Sequence, residues 1–312
     1  MTIQLPRGNY TSITIIYNND QKQTVNNQAT AAHAVTIAHA GTSGIVVGSN
    51  GEHQSLSIVE TNIVTKSIRD ALDLYKLQDI PVITNVASQS TIKNKHLNFY
   101  ASYESIERAH RAKLSGANFI LLPSLAPNLS RDDNMSFFED VAEESPIPVI
   151  IYSHPQSSAG FHLTSDEVIR LAQHPNIVGL KATDNDVGKM TRLTHLSKTN
   201  NFHVFCGSSD YLIAALSIGV HGSITAAANF APDLLFNVWD SYNKGKAGEA
   251  LDLQRKLSVV EARCKVGGVA GIKYATSLIY NTNPKPRKPL RELSEDIKEI
   301  VRSGIWLLKG AA

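Results

Sequence analysis

The chain has 312 residues, 42% of them hydrophobic and 19% charged, and its 30 lysines and arginines nearly balance its 28 aspartates and glutamates. A chain of this length can bury a large core, as two ordinary domains or as one large barrel. The formal net charge of +2, without basic or acidic tracts, argues against nucleic acid as a partner. We expect small-molecule partners and copies of the same chain.

The N-terminal segment 1–8 and the two cysteines bear on the compartment. The segment has neither the apolar core of a signal peptide nor the arginine-rich character of a transit peptide. The sequence also lacks the run of about 20 apolar residues that spans a bilayer. Cys206 and Cys264 are too few for a disulfide framework. We therefore expect a cytoplasmic protein without membrane contacts.

Short β-branched runs alternate with longer helical patterns, which indicates strand–helix units on a parallel sheet. Eight strands are predicted, at 12–16, 44–47, 81–85, 118–122, 148–152, 177–181, 203–206 and 222–226. Eight such units in residues 1–245 predict a (β/α)8 TIM barrel. A doubly wound open sheet is the alternative, but no Gly-x-Gly-x-x-Gly follows any of these strands.

The helical pattern continues beyond the eighth strand without further strands. Three helices are predicted at about 246–264, 269–280 and 294–308, separated by a Gly-Gly pair and by a proline-rich turn at 284–289. Residues 246–312 are therefore predicted to form a C-terminal three-helix extension that packs on the barrel.

Polar residues follow several of the predicted strands, at the barrel face that carries function. The second strand leads into Gly48-Ser49-Asn50-Gly51-Glu52, whose glycines let backbone N–H groups converge on a carboxylate, although Asn-Gly is also an ordinary turn. The fifth ends in Tyr152, which either transfers protons or is simply packed. The seventh runs into Cys206-Gly207-Ser208-Ser209-Asp210, which leaves room for a ligand or opens a helix.

Lys181 ends the sixth predicted strand, after the apolar run 177–180. Lysine is rarely buried, and desolvation lowers its pKa toward the range in which the neutral amine attacks a carbonyl. The alternative is that Lys181 begins a solvated loop. An amine nucleophile, a phenol and an amide nest together suit Schiff-base chemistry on a 2-oxo acid, which requires no metal.

The histidines do not form a metal-binding pattern. The sequence has no His-Glu-x-x-His, and His33, His39 and His195 are interpreted as surface or core residues rather than ligands.

The chain resembles the dihydrodipicolinate synthase and N-acetylneuraminate lyase family of class I, pyruvate-dependent aldolases. The resemblance covers nearly the whole chain and is most specific at 48–52, 148–152 and 173–181. Within the family, the chain is most similar to 4-hydroxy-2-oxoglutarate aldolase and the 2-keto-3-deoxy sugar acid aldolases. The resemblance implies a homotetramer, a dimer of dimers, with no cofactor or metal beyond the covalent Schiff base.

The resemblance also implies roles for individual residues. Lys181 would be the Schiff-base lysine and Tyr152 the proton-handling tyrosine. Ser49 and Asn50, with the adjacent Gly51, would hold the pyruvyl carboxylate, Ser49 also serving in the proton relay. Gly207 and Ile224 would line the pocket.

Three segments depart from the family pattern. The segment 122–128 lacks the tyrosine that usually completes the proton relay in a neighbouring subunit. The loop 88–102 carries about ten extra residues, and Tyr100 or the nearby Tyr103 is a candidate replacement for the missing phenol. After Tyr152, Gln156, Ser157 and Ser158 stand where dihydrodipicolinate synthases carry an arginine, and these neutral groups favour a polyol or hydroxy acid.

We therefore predict a carbon–carbon lyase that cleaves a 4-hydroxy-2-oxo acid to pyruvate and an aldehyde, or runs the reverse condensation. One alternative is a dihydrodipicolinate synthase-like, dehydratase or hydratase-aldolase reaction on the same Schiff base. The other is a catalytically impaired member of the family that acts as a ligand-binding or structural protein.

Overall fold

The computed structural model describes residues 5–50, 52–87, 98–125, 130–158, 160–196 and 201–310. Eight parallel strands close into a barrel in the order of the chain. The strands are β1 (Gly8–Ser12), β2 (Gly44–Val47), β3 (Val82–Asn85), β4 (Phe119–Pro123), β5 (Val149–Ser153), β6 (Ile177–Ala182), β7 (His203–Cys206) and β8 (Gly222–Thr225). The closed barrel confirms the predicted fold and excludes the doubly wound open sheet.

Helices follow the strands around the outside of the barrel. They are α1 (Asn27–His39), α2 (Ile58–Leu74), α3 (Asn98–Leu114), α4 (Arg131–Glu144), α5 (Ser165–Leu171), α6 (Val187–Leu196), α7 (Leu212–Ser217) and α8 (Pro232–Asn243). Capping boxes at Ser57, Ser130 and Thr164 satisfy backbone N–H groups at the starts of α2, α4 and α5.

The first strand was predicted too late in the chain. β1 is Gly8–Ser12, whereas the apolar residues of 12–16 follow the strand and are buried at its carboxyl end. The polar segment Gly8–Ser12 is nevertheless fully buried, because β1 pairs with both β2 and β8 and is covered on both faces. Apolar content therefore identified the buried segment, but hydrogen bonding to two neighbours defines the strand.

The barrel interior is filled by side chains rather than open. Tyr10 packs edge-on against Phe205, with ring centroids 5.2 Å apart, and Ile150 and Ile224 belong to the same interior cluster. A second and larger cluster lies between the strands and the surrounding helices. The filled interior closes the lower part of the barrel, so a ligand has access only near the strand ends.

The C-terminal extension consists of α9 (Ala247–Cys264), α10 (Val269–Tyr280) and α11 (Glu295–Leu308), close to the predicted bounds. α9 packs against α8, and α11 packs against α9 and α10. Of the helices described, none combines the length and the apolar character needed to cross a membrane.

Candidate active site

Lys181 lies inside the barrel, near the carboxyl end of β6. Its neighbours in the strand, Leu180 and Ala182, face the outer core, so the alternation of a strand turns Lys181 inward. In register, Lys181 stands between Tyr152 of β5 and Phe205 of β7. Only 3% of Lys181 is exposed, which rules out the interpretation as a solvated loop residue.

The environment of the Lys181 ammonium group favours the neutral amine. Its Nζ donates a hydrogen bond to Ser49 Oγ over 2.6 Å, and among the described residues it forms no salt bridge. Burial, followed by the positive charge of nearby Lys265, lowers the pKa of Lys181 to about 7. A large fraction of the amine is therefore unprotonated and nucleophilic at neutral pH.

Tyr152 lies directly beside this amine. The Nζ atom of Lys181 is 4.1 Å from the centroid of the Tyr152 ring. Burial raises the pKa of Tyr152 to about 12, and the side chains of Thr183 and Ser49 act in the opposite direction. The phenol therefore remains protonated at neutral pH and can donate or relay a proton.

The segment after β2 carries the residues that are predicted to bind the substrate carboxylate. Gly48 adopts a left-handed φ of +77°, which turns the chain sharply before Ser49 and Asn50. The Asn50 amide donates to Glu52 Oε2 over 3.2 Å, while its buried oxygen accepts no hydrogen bond from the described residues. The structure thus brings Ser49 to Lys181, turns the Asn50 amide group toward Glu52, and leaves Gly51 outside the described residues.

A buried ion pair behind this loop was not predicted. Glu52 Oε1 lies 3.2 Å from Lys273 Nζ of α10, and the two side chains are at most 1% exposed. Glu52 Oε2 also accepts from the backbone N–H of Ile15 over 2.9 Å, while Lys273 donates to the Ile15 carbonyl. The C-terminal extension therefore fixes the loop that carries Ser49 and Asn50. Sequence periodicity offered no signal for it, because Glu52 and Lys273 are 221 positions apart.

Gly207 and Ile224 occupy the neighbouring strand ends. A Cβ on Gly207 would lie 1.9 Å from Thr183 Oγ1, so only glycine fits against the residue that follows β6. Ile224 of β8 is fully buried in the interior cluster that includes Tyr152. Both positions are close to the candidate site, and their contact with substrate stays a prediction.

His154 is a further group beside Tyr152. The two rings stack with centroids 5.4 Å apart, and His154 Nδ1 lies 2.7 Å from Ser157 Oγ. Burial, with the charges of Lys181 and Lys265, lowers the pKa of His154 to about 4. The imidazole is consequently neutral near pH 7 and can accept a hydrogen bond. The position of His154 directly after β5 was the available sequence signal.

Lys265, the residue after α9, brings a positive charge to the rim of the barrel. Its Nζ is 3.3 Å from Ser208 Oγ and 3.2 Å from Glu261 Oε1. Glu261 is 1% exposed and also accepts from Ser208 Oγ over 3.1 Å and from the Ser209 backbone N–H over 3.1 Å. The turn after β7, predicted either to leave room for a ligand or to open a helix, is thus tied to the C-terminal extension.

Some of the residues that depart from the family pattern lie outside the residues that the structure describes. This applies to residues 88–97 and 126–129 and to the Tyr100 side chain. Tyr103 lies on α3 and is 56% exposed. Ser157 contacts His154, and Ser158 Oγ donates to the backbone carbonyls of His154 and Phe161, so both hydroxyls contribute to the loop itself.

The remaining histidine and cysteine predictions concern non-catalytic positions. His33 is buried, with Nε2 3.1 Å from Asn229 Oδ1, as expected of a core histidine. Cys206 and Cys264 are buried free thiols. Within the described ranges, no group of three or more metal-ligating side chains comes together.

Comparison with known proteins gives one consistent result. The model of the dihydrodipicolinate synthetase family matches residues 9–306. An L-threo-3-deoxy-hexylosonate aldolase of Hypocrea jecorina is 32% identical over 312 aligned residues, covering 96% of this chain and 95% of the relative. A protein of Coccidioides immitis named "Putative 4-hydroxy-2-oxoglutarate aldolase, mitochondrial" is 34% identical over 280 residues, covering 85% and 84%.

A solved structure extends the similarity to three dimensions. YagE, a prophage protein of the dihydrodipicolinic acid synthase family from Escherichia coli K12, was crystallised in complex with pyruvate. It superposes with a TM-score of 0.85 at 25% identity, and the match covers 97% of this chain and 98% of YagE.

Proposed function

The chain belongs to the dihydrodipicolinate synthetase family, and from this premise we propose that it is a class I aldolase. The reaction is the cleavage of a 4-hydroxy-2-oxo acid to pyruvate and an aldehyde, or the reverse condensation. The observation that carries the proposal is the buried Lys181 amine, which donates to a neutral hydroxyl and has no salt bridge among the described residues.

The first step is imine formation at Lys181. The neutral amine attacks the C2 carbonyl of the substrate, and loss of water leaves a protonated imine that attracts electrons from the adjacent carbons. Ser49, which accepts the Lys181 hydrogen bond, is placed to pass protons to and from the departing oxygen. We expect the substrate carboxylate to bind at the turn formed by Gly48, Ser49 and Asn50.

The second step breaks the C3–C4 bond. The C4 hydroxyl loses its proton as its oxygen becomes the carbonyl of the released aldehyde, and the bonding electrons move into an enamine. The enamine is then protonated at C3, and hydrolysis of the resulting imine releases pyruvate and restores the Lys181 amine. We assign the proton transfers to Tyr152, which adjoins the amine.

His154 is proposed to assist at the C4 hydroxyl. It stacks on Tyr152 and is neutral near pH 7, so it can accept a hydrogen bond from the substrate. It thereby occupies part of the role that the missing tyrosine after β4 has in the family pattern. Because the iminium withdraws the electrons itself, the proposed reaction uses neither a metal nor an organic cofactor, and EDTA should leave turnover unchanged.

Borohydride trapping tests the proposal directly. Incubation with pyruvate and sodium borohydride, followed by peptide mass mapping, should place a reduced adduct on Lys181. Turnover is then measured on 4-hydroxy-2-oxoglutarate and on 2-keto-3-deoxy sugar acids. An absence of adduct would rule out the class I mechanism, and an adduct without turnover would indicate a binding protein.

We further propose that the protein is a cytoplasmic homotetramer. The support for the tetramer is the family resemblance, and the support for the location is that the buried free thiols of Cys206 and Cys264 suit a reducing compartment. Light scattering on the purified protein measures its mass, and a dimer or monomer would contradict the tetramer. Cell fractionation tests the location, with mitochondria as the competing outcome because the Coccidioides relative is named as mitochondrial.

A further inference from the structure

The C-terminal extension places one ammonium group on the working face of the barrel. Lys265 follows α9 directly, and its Nζ reaches Ser208, two residues beyond the end of β7. Gly207 donates from its backbone N–H to the Ala182 carbonyl over 2.7 Å, which ties this turn to the end of β6. The Lys265 ammonium therefore lies beyond the strand ends on the side of the barrel next to Lys181.

This ammonium lies on the same face of the barrel as the candidate site, since it contacts the turn that follows β7. Its charge acts on both Lys181 and His154, which belong to β6 and to the segment after β5. The Ser49 hydroxyl approaches Lys181 from β2, four strands away around the barrel. A substrate that forms an imine with Lys181 and places its first carboxylate near Ser49 can therefore extend its other end toward Lys265.

Lys265 keeps a hydrogen-bonding donor for a ligand in spite of its contact with Glu261. The two described contacts use two of the three N–H groups of the ammonium, and 41% of its side chain is exposed. The Glu261 carboxylate also accepts hydrogen bonds from Ser208 and from both the backbone and the hydroxyl of Ser209. Neutral donors thus occupy part of the hydrogen-bonding capacity of this carboxylate, and Lys265 is its ion-pair partner among the described residues.

We propose that Lys265 binds the distal carboxylate of the substrate, so that the preferred substrate class is the dicarboxylic 4-hydroxy-2-oxo acids of the 4-hydroxy-2-oxoglutarate type. This inference rests on the proposed aldolase function and adds a specificity-determining residue to it. The segment after β5 holds no cation, and its serine hydroxyls are engaged within the loop. The cation comes instead from the C-terminal extension, which sequence inspection of that segment could not reveal.

The test compares two substrates in three variants. The substrates are 4-hydroxy-2-oxoglutarate, with a distal carboxylate, and a 2-keto-3-deoxy sugar acid with an uncharged tail. Lys265→Met should lower kcat/KM for the diacid by about 10- to 100-fold, since it removes a hydrogen bond between two charged groups. Because Lys265 is also the charged partner of the buried Glu261, its loss lowers stability and affects both substrates. The readout is therefore the ratio of kcat/KM for the diacid to that for the uncharged tail, which should fall by at least about tenfold, whereas Lys265→Arg should retain most of the activity on the diacid.

Lys256→Met provides the matched control, because Lys256 is an exposed lysine of α9, the helix that Lys265 directly follows. It should leave both substrates unaffected. Equal losses on the two substrates in Lys265→Met would overturn the proposal, as would an unchanged rate on the diacid or a wild-type preference for the uncharged tail. Pyruvate–borohydride labelling of Lys181 in the wild type tests the aldolase function separately from the Lys265 subsite. If the label forms, such results reject only the subsite. If no label forms, the aldolase function itself is rejected.

Discussion

Two buried lysines contact the segment that follows β2, and their partners there differ in charge. Lys181 is 3% exposed and Lys273 is 1% exposed, so both lack bulk water. Lys273 contacts the Glu52 carboxylate, whereas Lys181 contacts the neutral Ser49 hydroxyl and the face of the Tyr152 ring. Burial lowers the pKa of both amines, but Glu52 opposes this effect at Lys273.

The difference shows how one fold uses the same side chain for two purposes. A buried ammonium beside a carboxylate keeps its proton and holds two chain segments together. A buried ammonium without a carboxylate loses its proton easily and becomes a nucleophile. Among the described residues Lys181 has no acidic partner, which identifies it, rather than Lys273, as the candidate for Schiff-base formation.

Removal of the Lys181 amine has the largest expected effect. Lys181→Met should abolish the borohydride-trapped adduct and reduce turnover to background, a fall of at least about 10⁴-fold. Its free energy of unfolding should fall by no more than about 1 kcal/mol, because the variant loses the hydrogen bond to Ser49 but also removes a buried amine that has no ion-pair partner among the described residues. Mass mapping and chemical denaturation measure the two effects. A variant that still forms the adduct would show that another amine reacts.

Replacement of Lys273, in contrast, should lower the free energy of unfolding. Lys273→Met leaves the buried Glu52 carboxylate without its ammonium partner, and the free energy of unfolding should fall by about 3–5 kcal/mol. Urea denaturation measures this change. The double variant Lys273→Met with Glu52→Gln should recover part of the loss, because the buried charge is gone while Gln can still accept from Ile15. A single variant as stable as the wild type would contradict the assigned role.

Tyr152→Phe tests the neighbour of Lys181 without changing the lysine. We expect kcat to fall by about 10²-fold or more, because proton transfer loses its phenol, while pyruvate still labels Lys181. Single-turnover kinetics separate imine formation from bond cleavage. An unchanged kcat would show that His154 or another group, rather than Tyr152, transfers the proton.

The smallest expected effect is the dependence of pyruvate labelling on pH, which reports the pKa of Lys181 directly. The pKa of Lys181 is about 7, so below pH 7 the amine becomes protonated and labelling by pyruvate should slow by about tenfold per pH unit. Above pH 7 the rate should level off. A midpoint near the ordinary lysine value of 10.5 would show that burial does not lower the pKa of this amine.

The sequence was sufficient for the barrel and for most of its strand ends. β-branched runs marked the eight buried segments, and the apolar run before Lys181 correctly placed it at the end of β6. β1 was missed because its residues, Gly8–Ser12, are largely polar and owe their burial to neighbours on both sides. Such a strand forms because the barrel closes on both sides of it, and the local sequence carries no signal of that pairing.

The partners of the site residues could not be predicted in the same way. Glu52 and Lys273, and likewise Ser208 and Lys265, meet only because the C-terminal helices return to the barrel mouth. Ser49 was predicted from its turn, but its hydrogen bond to Lys181 joins residues 132 positions apart. Local residue types indicate the chemistry of a site, while the charges that tune it depend on packing between distant segments.

The ion pair between Glu52 and Lys273 also sets an order of events during synthesis. The last strand, β8, ends at Thr225, and Lys273 follows about 50 residues later. At a translation rate of roughly 5–20 residues per second, the nascent chain spends about 2–10 s with all eight strands made and Glu52 still without its counter-charge. The loop that carries Ser49 consequently gains this contact only after the last strand of the barrel has been made.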